Sequence, residues 1–125
     1  LESIGDCCYN LGRTLSRKRQ YSQEDFTDEQ KAHIQNMISL VEESLNEMVV
    51  VVANSEQQKT IPSKAYNLEH EINNFRSQLK NQNIQDVNNH LYSYQIGVFY
   101  TDLISQCEKL GDYVLNVIQA TCGRQ

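Results

Sequence analysis

The chain has 125 residues, enough for one domain that buries roughly two-thirds of its unfolded surface, and carries 11 basic against 16 acidic residues for a formal charge of −5. That balance argues against nucleic acid as a partner, since phosphate neutralisation needs clustered Lys and Arg. One proline, five glycines and no tryptophan, with apolar residues recurring at helical intervals rather than in alternation, point away from a β-sheet fold and predict an all-α antiparallel helical bundle. The longest apolar run, Met48 to Ala53, falls far short of the roughly 18 residues that cross a bilayer, so the chain itself reads as soluble. Its cysteines, Cys7, Cys8, Cys107 and Cys122, form neither a C-x-x-C pair nor a zinc spacing, and are read as reduced thiols.

The first helix is predicted from about Glu2 to Lys18, with Ile4, Cys8, Leu11 and Leu15 as its apolar stripe. Arg13, Arg17, Lys18 and Arg19 fall at its end, where cations complement the helix dipole. The second helix follows Thr27, whose hydroxyl with Gln30 three residues on makes a capping-box pattern. Its stripe is Ile34, Ile38, Val41, Leu45, Met48 and Val52, a heptad rhythm that implies packing against an antiparallel neighbour at about 20°. Asn54 and Ser55 mark a turn, after which Ile61, Ala65, Leu68, Ile72, Phe75 and Leu79 form the third stripe. Pro62 leaves two starts open for this third helix: near Thr60 with proline in the first turn, or at Ser55 with a bend at Pro62. The fourth helix is predicted from about Gln85 to Thr121, on the order of 55 Å long, with Gly97 as a place for a bend and Gly123 as its left-handed stop. Tyr92, Tyr94 and Tyr100 on it are assigned to core packing.

One phrase occurs twice. Glu2-Ser-Ile-Gly-Asp6-Cys-Cys-Tyr-Asn10-Leu and Glu108-Lys-Leu-Gly-Asp112-Tyr-Val-Leu-Asn116-Val both read E-x-[I/L]-G-D-x-x-x-N-[L/V], 106 positions apart. Glu2, Asp6 and Asn10 are successive i, i+4 positions along one edge of the first helix, and Glu108, Asp112 and Asn116 repeat that edge on the last. Both edges lie away from the apolar stripe and are expected to face outward. Gly5 and Gly111 sharpen the signal, because glycine inside a helix costs about 1 kcal/mol relative to alanine and calls for a close backbone approach or a ligand. Carboxylates with a neighbouring amide oxygen are hard donors, so the expectation is a surface site on each copy for Mg²⁺, Mn²⁺, Ca²⁺ or iron.

Catalysis is not expected. Gln30, Asn67 and Val87 stand three residues before His33, His70 and His90, so the Glu-x-x-His pairs of di-iron bundles are missing, as are a G-x-S-x-G turn and a glycine-rich phosphate loop. His70, flanked by Glu69 and Glu71, reads as an exposed helix residue.

The repeated phrase, closing a helical unit of about a hundred residues, resembles the PhoU family, whose three-helix repeats end in E-R-I-G-D-x-x-x-N-I. Under this resemblance residues 1–125 are one PhoU-like fragment, in which 1–20 is the last helix of a first repeat and 27–122 a second three-helix repeat. The resemblance implies metal-binding E/D-x-x-x-D pairs at Glu2 and Asp6 and at Glu108 and Asp112, with Asn10 and Asn116 in support. The middle helix supplies Glu69-His-Glu-Ile-Asn73, with an amide where the family often has a carboxylate, and Ser3 and Lys109 stand where arginine is frequent. Phe26-Thr-Asp-Glu-Gln and Glu71-Ile-Asn-Asn-Phe-Arg76 are most similar to the cytoplasmic tails of bacterial sodium/phosphate cotransporter-related membrane proteins. The implied function is regulation of transport from the cytoplasmic face of the inner membrane. The implied partners are the transmembrane transport domain of the same parent chain and, by self-association, a second copy; beginning inside a motif fits a piece of a longer protein. The alternatives are a free-standing phosphate-signalling adaptor and a ligand-free structural bundle in which the two phrases are remnants of duplication.

Overall fold

The computed structural model of the chain describes residues 2–57 and 60–123 and, at Glu2, the backbone alone. Four helices run in order: α1 (Glu2–Tyr21), α2 (Asp28–Ala53), α3 (Ser63–Asn88) and α4 (Tyr94–Thr121), and no strand occurs among the described residues. The protein is an all-α helical bundle built around α4. Helices α1, α2 and α3 all pack on α4, α2 also packs on α3, and among the described residues α1 lies at packing distance from α4 alone.

This arrangement explains the buried faces. Helix α4 is flanked by three neighbours and buries a wide arc, with Ile96, Tyr100, Leu103, Ile104, Cys107, Leu110, Val114, Leu115 and Ile118 in the core. Helix α2 starts where expected: Thr27 Oγ1 accepts from the Gln30 amide and Gln30 Oε1 from the Thr27 amide, each at 3.0 Å. Its core face is Met37, Val41, Ser44, Met48 and Val51, turned about 60° from the predicted stripe at 100° per residue. Ile38 and Val52 are therefore 50 % and 47 % exposed. The reason is that Ile38 looks toward α1, which does not close on α2. In α1 the same rotation makes Cys7 the buried cysteine, while Cys8 and Leu15 are exposed.

The third helix starts at Ser63, with Pro62 as the extended residue just before it, so neither predicted start holds and no bend is needed. The end of that helix departs furthest from the sequence expectation. α3 continues to Asn88, and the chain turns before α4 begins at Tyr94, where the apolar rhythm predicts a single helix from Gln85 to Thr121. The turn is made by His90 at φ 60°, with Leu91 N donating to Asp86 O at 2.9 Å and His90 N to Val87 O at 3.0 Å. That pair of bonds is a Schellman stop, built on histidine where glycine is usual. Ser93 then caps α4, its Oγ accepting from the Ile96 amide at 3.1 Å. Gly97 is not a bend either. A Cβ there would fall 2.9 Å from Val87 Cγ2, so the glycine lets the start of α4 approach the end of α3. Tyr92 locks the corner by donating to Asn83 Oδ1 at 2.7 Å, and burial, then the nearby Asp86, pushes its phenol up to about 12. Tyr92 and Tyr100 join the core as predicted, but Tyr94 at the helix start is 75 % exposed.

His90 holds a left-handed backbone that costs an L-residue roughly 1–2 kcal/mol, partly offset by the extra unfolded-state freedom of glycine. His90→Gly is expected to raise the unfolding free energy by roughly 0.5–1 kcal/mol in urea denaturation; an unchanged or lower midpoint would show that the histidine carries no strain.

Candidate functional site

The pairing of residues along the α1–α4 contact fixes where the two copies of the phrase lie. Ile4 lines a groove with Tyr113 and Val117, Leu11 one with Cys107 and Leu110, and Leu15 one with Leu103, so α1 and α4 are antiparallel. On α4 the positions that meet α1 (Leu110, Tyr113, Val117) and those that carry the acidic edge (Glu108, Gly111, Asp112) are about 180° apart at 100° per residue. Glu108 and Asp112 of the second copy therefore meet α3 instead of facing outward, while Asn116 lines the groove beside Ser3 and Ile4 of α1. The edge of the first copy stays on α1, on the other side of α4.

The second copy is built into a seam. Gly111 is buried, and a Cβ on it would sit 3.1 Å from Ile72 Cδ1, so its missing side chain is what lets α3 come close. Beside this contact Arg76 Nε lies 3.0 Å from Glu108 Oε2, in side chains 29 % and 19 % exposed. The N–H does not point along that line, so this is an ion pair of charge without an aligned hydrogen bond. Asp112 is half-buried and faces Glu69. Burial first, then the Glu69 carboxyl, hold its acid above the usual aspartate range, while Arg76 pulls it down. Glu69 Oε1 also accepts from Asn73 Nδ2 at 3.4 Å, and Asn73 Oδ1 is buried with no hydrogen-bond partner.

Four predicted residues, Glu69, Asn73, Glu108 and Asp112, are thus brought together. Asn116, one turn further on, is exposed. In the first copy Asp6 is exposed, Asn10 is half-buried, and nothing lies within 4 Å of a Cβ built on Gly5; the predicted role of the Glu2 side chain lies outside the described residues. Among the described residues no three His, Cys, Asp or Glu side chains are placed to hold one metal ion.

The residue that sequence patterns do not assign to a site is Arg76. A signal for it exists: Glu69, Asn73 and Arg76 are spaced by four and three, hence on one face of α3, but nothing in that spacing connects a cation there with the phrase on α4. The cysteines take no part. Burial raises the thiols of Cys7 and Cys107, the latter to about 11, which keeps both protonated and unreactive.

Two expectations follow from the seam. Gly5→Ala meets open space and is expected to stabilise the chain by roughly 0.5–1 kcal/mol through helix propensity, whereas Gly111→Ala must push Ile72, which is 1 % exposed, and should gain nothing or lose stability. Equal gains in chemical denaturation would show that α3 does not approach α4 closely at Gly111. For Asp112, a native acid raised above its unfolded value costs stability as pH climbs from the ordinary aspartate range through the raised one. Asp112→Asn should therefore be more stable than the parent chain at pH 7, with the difference shrinking toward acid; a difference independent of pH would contradict this.

Comparison of the chain with protein-family models, with curated proteins and with solved structures finds no match.

Proposed function

We propose that this chain is a PhoU-like regulatory and interaction domain without chemistry of its own, carried on the cytoplasmic face of a sodium-dependent phosphate transporter-like membrane protein. Its partner is the transport domain of the same parent chain. The observation that carries the reading is the position of α1, a helix bearing the same phrase as α4 yet held by α4 alone among the described residues. Two grooves of about 210 and 320 Å³ lie between α1 and α2, both lined by Ile38 and floored by Leu103, Cys107 and Leu110. Apolar side chains left open in this way suit a domain whose work is to dock another surface. No described helix is long and apolar enough to cross a membrane, so attachment to a bilayer falls to other parts of the parent protein.

The test is to tag the native gene and fractionate the cells. The expected product is larger than the 14.5 kDa of this chain, stays in the membrane pellet after alkaline carbonate, and loses normal regulation of phosphate uptake when residues 1–125 are deleted. A product of this size in the soluble fraction would overturn the transporter reading.

A further inference from the structure

We propose that Arg76 occupies the place of a metal ion in the second copy of the phrase, so that the α3–α4 seam is closed by an internal guanidinium and needs no divalent cation. The seam closes in this way whether or not the chain belongs to a transporter.

A divalent ion between two helices neutralises facing carboxylates and ties the helices together. Here that work is divided among groups of the chain itself. Glu108 is paired with Arg76 at 3.0 Å, and the guanidinium also acts on Asp112. Glu69, the remaining carboxylate, receives the Asn73 amide at 3.4 Å. A hard cation would ask for more. It takes six or more oxygens, or an octahedral set completed by water, from ligands whose charge is not already matched. The seam offers three carboxylates, one amide and a fixed positive charge within one helix turn of the amide, and no three acidic, histidine or cysteine side chains converge among the described residues. A cation entering beside Glu108 would have to displace Arg76 or share its field. Asn73 brings a neutral amide to the seam, its Oδ1 buried and without a hydrogen-bond partner, where a carboxylate would add a third uncompensated negative charge.

The experiment uses the intact chain stripped with EDTA, then titrated with Mn²⁺ and followed by the electron paramagnetic resonance signal of the free ion and by thermal melting. The parent chain is expected to leave the Mn²⁺ signal and the melting midpoint unchanged. Asn73→Asp, which adds a carboxylate but keeps Arg76, should also take up no Mn²⁺. Asn73→Asp combined with Arg76→Met frees four carboxylates, and it should quench the Mn²⁺ signal and melt several degrees higher with the ion than without it. Uptake by the parent chain that is lost in Asp112→Asn overturns the proposal, as does uptake by Asn73→Asp alone. A double variant that retains its helical circular dichroism and ignores Mn²⁺ overturns it too, since the arginine would then occupy no cation position. If the double variant does not fold without metal, recovery of its helical signal on adding Mn²⁺ supports the proposal, and continued unfolding at saturating Mn²⁺ counts against it.

Discussion

The bundle depends on how close α3 can come to α4. Two glycines on α4 set that distance: Gly97 opposite Val87 near one end, and Gly111 opposite Ile72 in the middle. Glycine inside a helix is unfavourable by about 1 kcal/mol each, and what it permits is an apolar contact in which Ile72, Ile104 and Val114 are essentially closed to water. Polar groups along this contact are drawn toward one another, although Asn73 Oδ1 stays buried without a hydrogen-bond partner. The Arg76–Glu108 pair, the Glu69–Asp112 approach and the Tyr92–Asn83–Asp86 corner all lie at the margins of the same close seam.

The same constraint gives the repeated phrase two different fates. Its residues are alike, but an acidic edge is defined by what stands opposite it. On α4 the edge meets a helix that brings an arginine and an amide, and becomes part of the packing. On α1 no described helix stands opposite, and Gly5 and Asp6 remain open. The duplication therefore records a shared helix design more directly than a shared chemistry.

Much of this architecture is legible in the amino-acid pattern. The capping box at Thr27 and Gln30 is a local pattern with a local cause, and α2 begins there. The apolar stripe of α3 faces the core because that helix has its two neighbours on one side. The stripes of α1 and α2 are turned by tens of degrees, because apolar periodicity shows that a face exists but not which neighbours divide it. Ile38 and Val52 fit the heptad and still remain half-exposed. The boundary between α3 and α4 is hidden because its stop is His90, not glycine or proline, and the apolar rhythm runs through the turn. For the site, Glu69, Asn73, Glu108 and Asp112 can be named from motif position, but their conversion into a seam depends on Arg76 meeting Glu108 across 32 residues of sequence and one helical crossing.

The attachment of α1 has a consequence for how the domain breathes. A helix supported along one side contributes fewer buried apolar contacts to the cooperative unit than one clasped by three neighbours, and such segments open at a fraction of the global unfolding free energy. The amide hydrogens of α1 should then exchange with solvent long before those of α4, through a motion that peels the first helix from the rest while the α2–α3–α4 trio stays folded. The domain is then a removable outer rod on a persistent three-helix body, and any surface that grips α1 must also hold it in place.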